Sequence, residues 1–233
     1  MAPMGASLII TADDYGYRPA YDRGILEAVD AGALDAVSAM AGREGIEPEP
    51  LLETRVEIGL HLELAEMPLH ARAGEAERAA AIAALLAQLE RFEAAFGRAP
   101  AYLDGHHHCH ARDGLGAAVA RVARERNLPV RSVSPRHRKL LQCMGVPTPD
   151  LLVGRLNASD PALPPALAGV LDGSAEPPPG VTEWMIHPGH RDDSPTASSY
   201  DAAREHDLEL VLDLGDALGA SFRRGTHSAL TRS

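Results

Sequence analysis

The stretch that most clearly carries chemistry is a histidine cluster at Asp104–His110, with the sequence DGHHHCH. Four of the chain's eleven histidines fall within five positions here. In an extended chain, side chains alternate between two faces. One face would then carry Asp104, His106, His108 and His110, and the other, packed against the rest of the protein, would carry His107 and Cys109. Neutral imidazoles beside a carboxylate suit a divalent cation, because the carboxylate can orient the imidazole ligand.

The cluster lies mid-chain and follows an apolar stretch, residues 101–103, that predicts a short buried strand. This position argues against a purification tag. It also favours a metal or catalytic role over a histidine-rich loop, since polar groups at the end of a buried strand commonly line a site.

Three further apolar segments carry polar residues at or near their ends: Asp13 and Asp14 after 7–12, His61 in 56–64, and His187 after 181–186. Each has an ordinary alternative when taken alone. The aspartates could turn the chain or cap a helix, the strand histidine could be a core residue, and the last histidine could belong to a turn. Two adjacent carboxylates after a buried strand are nevertheless costly unless a cation or a proton separates their charges. The shared position of these residues therefore favours one joint site.

Apolar strand-like segments alternate with helical patterns along the chain, which predicts a parallel sheet with helices outside it. Strands are predicted at 7–12, 34–40, 56–64, from 101 into the histidine cluster, at 129–134 and at 181–186, and helices at 19–32, 73–96, 115–126, 166–171 and 200–218. Residues 136–165 show little periodicity. A closed or distorted (β/α) barrel and an open sheet both fit this order, but polar residues from several strand ends are typical of barrel sites.

At 233 residues the chain is long enough for one domain with one core, so 1–233 is expected to be a single domain with a flexible tail from about 225. The net charge of −11 disfavours a nucleic-acid partner, which would require a basic face. Two cysteines are too few for a disulfide framework, and Cys109 inside the cluster fits a reducing compartment. Neither a signal peptide nor an apolar run of transmembrane length is visible, so a cytoplasmic location is expected. The single lysine, Lys139, lies in an arginine-rich run, which argues against Schiff-base chemistry.

Four short motifs resemble, in order and spacing, the signature motifs of the YdjC-like carbohydrate deacetylases. They are TADDYG at 11–16, GLHL at 59–62, DGHHHCH at 104–110 and IHPG at 186–189. The resemblance extends from about Leu8 to Leu212. It implies a distorted (β/α) barrel, TIM-barrel-like and related to the metal-dependent polysaccharide deacetylases, that removes an N-acetyl group from an amino sugar.

The resemblance also implies the following roles: one divalent ion, Mg²⁺ or Zn²⁺, bound by Asp14, His61 and His106, with Asp13 as the general base and His187 as a candidate general acid. His108 remains an alternative acid. The residue types fit this chemistry, because one carboxylate and two imidazoles leave coordination positions open for water and an amide oxygen. A metal there would activate the water and polarise the carbonyl group.

The expected partner is therefore an N-acetylated amino sugar, and a homodimer is one possible assembly. Two other functions remain open at this stage. One is a barrel metallohydrolase that acts on a non-sugar amide or a phosphoester. The other is a non-catalytic metal-binding or sugar-binding module, although such a module has no need for Asp13 next to a metal-bound Asp14.

Overall fold

A computed structural model describes residues 5–64, 74–154, 163–192, 194, 198 and 200–232. Within these residues, seven strands form one sheet: β1 (Ala6–Tyr15), β2 (Ala36–Ala39), β3 (Glu57–Leu62), β4 (Leu103–Gly105), β5 (Leu151–Gly154), β6 (Gly180–Ile186) and β7 (Arg223–Arg224). The α-helices of the same residues are α1 (Pro19–Asp30), α2 (Glu49–Leu52), α3 (Glu75–Phe96), α4 (Gly116–Glu125), α5 (Pro135–Cys143), α6 (Pro165–Leu171) and α7 (Asp201–Ser221). None of these helices is long and apolar enough to cross a bilayer.

The sheet is parallel and curls into a distorted (β/α) barrel, which confirms the predicted fold class. Its strand order is β4-β3-β2-β1-β6-β5, with β7 beside β1. The two edges are linked by an irregular stretch rather than by a full strand. Leu103 of β4 forms an isolated parallel bridge with Val130, and the Val130 N–H donates to the carbonyl oxygen of Pro147, 2.9 Å away and just before β5. The predicted strand at 129–134 is thus reduced to this single bridge.

β1 is the central strand, and all ten of its residues are buried. It pairs with β6 from Ala6 to Ala12 and with β2 from Thr11 onward. Its continuous apolar run is what a parallel strand covered on both faces requires. The helices that cover the sheet end where their sequences indicate; α3, for example, ends at Gly97, whose left-handed φ of 65° caps the helix through a 3.0 Å N–H bond to the carbonyl oxygen of Glu93.

The stretch 136–165, in which we saw little periodicity, contains α5 and β5. Helix α5 begins at Pro135 after Ser134, whose Oγ accepts a hydrogen bond from the His137 N–H at 3.1 Å. This serine cap is the signal that indicates a helix start even where the apolar period is weak. The predicted start of α3 at 73, and residues 155–162, lie outside the described residues.

The histidine cluster does not continue β4, so the predicted alternation of its side chains is wrong. The chain leaves the strand at Gly105 and forms a 3-10 helix at His106–Ala111. Inside it, His107 and His108 adopt left-handed φ angles of 50° and 55°, a conformation that costs roughly 1–2 kcal/mol for a non-glycine residue. His107 is consequently exposed rather than packed, and such local strain is typical of functional segments.

The C-terminal residues, for which we expected a flexible tail from about 225, are packed against the barrel in this structure. β7 pairs in parallel with Ser7 and Leu8 of β1, at the end of β1 that β2 does not reach. Beyond it, His227 is fully buried, and its ring stacks on Tyr102 with the ring centroids 3.7 Å apart. Its Nε2 atom lies 3.3 Å from the carboxylate of Glu183 on β6.

This burial predicts a pH-dependent contribution of His227 to stability. Burial alone would lower its pKa, but Glu183 and Glu57 raise the pKa of His227 to about 9. Because the raised pKa belongs to the folded state, the stabilisation is complete below the unfolded pKa of about 6.5 and disappears as the pH rises through 9. We therefore expect the free energy of unfolding of the wild type, measured with urea, to fall by up to roughly 3 kcal/mol between pH 6.5 and 9.5 relative to that of His227→Gln. Parallel stability curves would contradict this, and His206→Gln, at an exposed histidine, is the control.

Candidate metal and catalytic site

A cavity of about 310 Å³ opens at the carboxyl ends of the central strands. Its lining includes every residue predicted for the site and the alternative acid: Asp13, Asp14, His61, His106, His187 and His108. The fold therefore brings together side chains from β1, β3, the 3-10 helix and the end of β6. This is the arrangement that parallel (β/α) barrels use for active sites.

An irregularity in β1 allows two neighbouring aspartates to face the same cavity. The register between β1 and β2 shifts between Ala12 and Tyr15, and Asp14 has a left-handed φ of 75°. A regular strand would point Asp13 and Asp14 to opposite faces. The bulge removes that alternation, so both carboxylates line the cavity.

Three potential metal ligands converge on one carboxylate oxygen. Asp14 Oδ1 lies 2.9 Å from His106 Nδ1 and 3.3 Å from His61 Nε2. One ligand atom from each of these residues lies within 4.8 Å of the others. A set of one carboxylate and two imidazoles suits a divalent ion such as Zn²⁺, and all three residues line the cavity.

Asp104 orients His61 for this role. His61 Nδ1 lies 2.7 Å from Asp104 Oδ1, so a proton on Nδ1 leaves Nε2 free to face Asp14. Burial alone would lower the pKa of His61, but Asp104 and Asp13 raise it to about 10. The field at this point therefore strongly favours a positive charge, whether a proton or a metal ion.

The second oxygen of Asp14 is bound by Arg204 of α7. Its Nη2 donates to Asp14 Oδ2 at 2.5 Å, and its guanidinium group lies over the ring of Tyr21, 3.7 Å from the centroid. Although burial opposes ionisation, hydrogen bonds from His106 and His61, together with Arg204, hold the pKa of Asp14 well below its usual range. Asp14 thus stays ionised, with only Oδ1 turned toward the histidines.

Asp13 is held by Arg131, a residue that our sequence analysis missed. Arg131 Nη1 and Nη2 donate to the two oxygens of Asp13 at 2.7 and 2.8 Å. The same guanidinium group lies 2.8 Å from Asp104 Oδ2 and donates from Nε to Glu183 at 2.9 Å. All four side chains are buried. Burial would raise the pKa of Asp13, but Arg131 and His61 hold it well below its usual range.

A second grouping of possible ligands, Asp13, His61 and Asp104, also lies within metal-binding distance. Both of its carboxylates already bind Arg131, which supplies the positive charge that they require. A divalent ion there would have to displace a buried, hydrogen-bonded cation at a cost of several kcal/mol. The Asp14, His61 and His106 group is therefore the better candidate.

Besides His61 and His106, three histidines line the cavity, His107, His108 and His187, whereas His110 does not. Burial lowers the pKa of His187, and it lowers the pKa of His108 to about 4, so both are neutral at pH 7. Neither Nδ1 atom has a hydrogen-bond partner among the described residues. His110 lies below the cavity, with Nε2 at 3.0 Å from the Arg131 carbonyl oxygen, to which its N–H donates. His108 and His187 are therefore candidates for proton exchange with a ligand because they line the cavity, whereas His110 supports the chain at Arg131.

Comparison with known families decides where the chain belongs. A sequence model of the family described as YdjC-like protein matches residues 7–215, which include all four motifs. The chain belongs to the YdjC-like family. The predicted membership is thereby confirmed, and the family match ends before β7 and the C-terminal residues.

Curated relatives of this family member include two named deacetylases. A carbohydrate deacetylase of Geobacillus stearothermophilus is 28% identical over 232 residues, covering 88% of this chain and 89% of that protein. A chitooligosaccharide deacetylase of Yersinia pestis (strain Pestoides F) is 29% identical over 147 residues, covering 53% of this chain and 58% of that protein.

Solved structures share the fold. A candidate cellobiose-phosphate cleavage protein of Enterococcus faecalis superposes with a TM-score of 0.77 at 24% identity, covering 97% of this chain and 99% of the other. A CE4 esterase of Streptococcus mutans superposes with a TM-score of 0.57 at 15% identity, covering 96% and 86%. At these identities the likeness establishes the YdjC-like chain's barrel architecture.

The site geometry predicts graded effects on cation affinity. His61→Ala removes a candidate ligand and should abolish stoichiometric binding of Zn²⁺ or Mn²⁺. Asp104→Asn keeps the ligand but loses its orienting charge, and should weaken binding by about 10–100-fold. His206→Gln, at an exposed histidine of α7 that does not line the cavity, is the matched control and should bind normally. Elemental analysis and calorimetry of the folded variants measure these affinities, and full occupancy in His61→Ala would remove His61 from the ligand set.

Proposed function

We propose that this YdjC-like protein is a metal-dependent hydrolase that removes the N-acetyl group from an amino sugar. The observation that carries the proposal is the facing arrangement in one cavity of a metal-binding group and two candidate proton-transfer groups. The names of the two curated relatives, carbohydrate deacetylase and chitooligosaccharide deacetylase, support an acetylated sugar as the substrate.

The residues present fit a divalent metal ion. Asp14 is ionised, and its Oδ1 faces two imidazole nitrogens, one of them oriented by a buried carboxylate. We therefore assign Asp14, His61 and His106 as the ligands. A bound ion supplies Lewis-acid chemistry, namely activation of a water molecule and polarisation of the acetamide carbonyl group. Mixed nitrogen and oxygen ligands are compatible with Zn²⁺ as well as Mg²⁺, so both ions belong in the assay.

Asp13 is the proposed proton acceptor. It neighbours Asp14 in the cavity but is held in place by Arg131 rather than by the metal group. Its lowered pKa keeps it in the ionised form that can accept a proton throughout the neutral range, while the same shift makes it a weaker base than a free carboxylate. The two bonds to Arg131 fix the carboxylate plane, which limits the motion required during the reaction.

His187 is the proposed proton donor to the departing amine, with His108 as the alternative. As the C–N bond of the amide breaks and the water oxygen bonds to the carbonyl carbon, the nitrogen must gain a proton to leave as an amine. His187 lines the cavity at the end of β6, and its buried Nδ1 atom has no hydrogen-bond partner among the described residues. The imidazole is neutral beforehand, so it must first take up a proton released within the site.

The cavity volume suits a small part of a glycan. About 310 Å³ lies at the lower end of the range of roughly 300–1,000 Å³ typical of small-molecule sites. A single amino-sugar ring with its acetamide group is the expected occupant, and further sugar rings would extend into solvent. This argument supports chitooligosaccharides and related N-acetylglucosamine compounds as the first substrates to test.

The two aspartates should fail in different ways. Asp13→Asn should keep its metal and fold but lose about 10²–10⁴-fold in kcat, the usual contribution of a general base, with little change in substrate affinity. Asp14→Asn should lose metal affinity first. The measurements are metal content, binding of N-acetylglucosamine oligomers, and release of acetate together with an equal amount of free amine.

Three outcomes would change the assignment. Near-normal turnover by metal-loaded Asp13→Asn would move the base to one of the histidines that line the cavity. Release of a different product, such as phosphate from a phosphoester, would identify another barrel metallohydrolase. Binding of sugar without any acetate release by metal-loaded wild type would identify a binding module.

A further inference from the structure

The C-terminal segment, residues 222–232, lies after the end of the family match and yet reaches the interior of the barrel. Its attachment is extensive. β7 pairs with β1, the Gly225 N–H donates to the Leu8 carbonyl oxygen at 2.8 Å, and Arg224 Nε donates to both oxygens of Asp35 at 2.8 and 2.9 Å. These contacts fix the backbone that leads into the buried His227.

His227 contacts Glu183, which belongs to the group of buried charges around Arg131 that holds Asp13. Its Nε2 lies 3.3 Å from Glu183 Oε1, the oxygen that also accepts the Arg131 Nε–H at 2.9 Å. Arg131 in turn holds Asp13 through two hydrogen bonds. His227, Glu183, Arg131 and Asp13 thus form a continuous chain of charge contacts from the C-terminal segment to the cavity.

The same imidazole touches a second chain of contacts, which ends at His61. The His227 ring stacks on Tyr102, whose hydroxyl lies 2.8 Å from Ser38 Oγ. That Oγ donates to Asp104 at 2.7 Å, and Asp104 orients His61. Two groups with separate jobs in the site are therefore supported from one buried residue.

The charges around Arg131 require such a residue. Asp13, Asp104 and Glu183 place three buried carboxylates around one guanidinium group. The imidazolium of His227 gives Glu183 a second cationic neighbour, so Arg131 need not move toward it. Without that neighbour, Arg131 would be the one cationic partner of the buried Glu183 among the described residues, and Glu183 would compete with Asp13 for it.

We propose that His227 is a positioning residue, which neutralises Glu183 so that Arg131 holds Asp13 in its reactive orientation. The C-terminal segment is on this view a component of the active site, although it lies outside the family match. The catalytic consequence rests on the proposed deacetylase function, whereas the structural consequence, the position of Arg131, does not.

Kinetics of His227→Gln test the catalytic consequence. A displacement of a reacting group by about 1 Å can cost on the order of 10²-fold, so kcat should fall by about 10–100-fold while KM and metal content stay close to wild type. His206→Gln, at an exposed histidine of α7, is the matched control and should be unchanged. An unchanged kcat in folded, metal-loaded His227→Gln overturns the proposal.

A second variant, Glu183→Gln, in which His227→Gln is then added, provides a test if His227→Gln alone fails to fold. Glu183→Gln retains an acceptor for Arg131 Nε but removes the charge that His227 neutralises. In this background, adding His227→Gln should change kcat by less than about threefold, because the two residues act as one unit. A further loss of tenfold or more would mean that His227 acts through packing alone, and would overturn the proposal.

The last readout needs neither substrate nor metal. The Arg131 Nε–H, identified by its loss in Arg131→Lys, should exchange slowly with solvent in ¹H–¹⁵N spectra of wild type and His206→Gln. In His227→Gln its exchange should accelerate at least about tenfold as Arg131 shifts. Unchanged protection overturns the positioning role, whereas absence of acetate release by wild type, with this acceleration present, overturns only the deacetylase proposal.

Discussion

The site depends on one buried cation, the guanidinium group of Arg131. It lies among Asp13 of β1, Asp104 of β4 and Glu183 of β6, so a single side chain joins three strands inside the barrel. A buried charge is stable only if partner charges and hydrogen bonds replace its lost hydration, and loss of one partner typically costs about 3–5 kcal/mol. Each of the three acids therefore constrains the position of the other two.

This constraint separates the carboxylates of the site by function. Asp13 and Asp104 both bind Arg131, so they are not free to act as primary metal ligands. Asp14 bonds instead to Arg204 with one oxygen and faces the histidines with the other. Asp13, Asp14 and His61 are thus each bound by a buried partner, Arg131, Arg204 and Asp104 respectively, which is the kind of preorganisation that an active site requires.

The convergence of these polar residues on one cavity could be predicted from the sequence, whereas the conformation of the segments around them could not. Apolar strands that end in aspartate or histidine were recognisable because burial and ligand chemistry restrict the residue types at those positions. Arg131 was missed because its role depends on partners that lie 27 to 118 residues away in the sequence. The one local signal was an arginine in a short apolar segment. The expected alternation of side chains in the histidine cluster was wrong because His107 and His108 adopt left-handed backbone angles. Glycine, the residue that usually indicates such angles in a sequence, is absent at both positions.

The C-terminal residues show the same limit of local patterns. Near the chain end, a short polar stretch indicates a flexible tail, and nothing in its spacing reveals that His227 will meet Glu183 and Tyr102. The buried glutamate in the middle of β6 was the corresponding signal, since a carboxylate at such a position requires cationic partners from elsewhere in the chain.

The position of the divalent ion tests the account most directly. Anomalous diffraction from crystals of the protein soaked with Zn²⁺ or Mn²⁺ can locate it independently of any assay. We predict one peak in the cavity, bounded by Asp14, His61 and His106, with Arg131 still bound to Asp13. A peak between Asp13 and Asp104 with Arg131 displaced, or no ion in this cavity at saturating metal concentration, would contradict it.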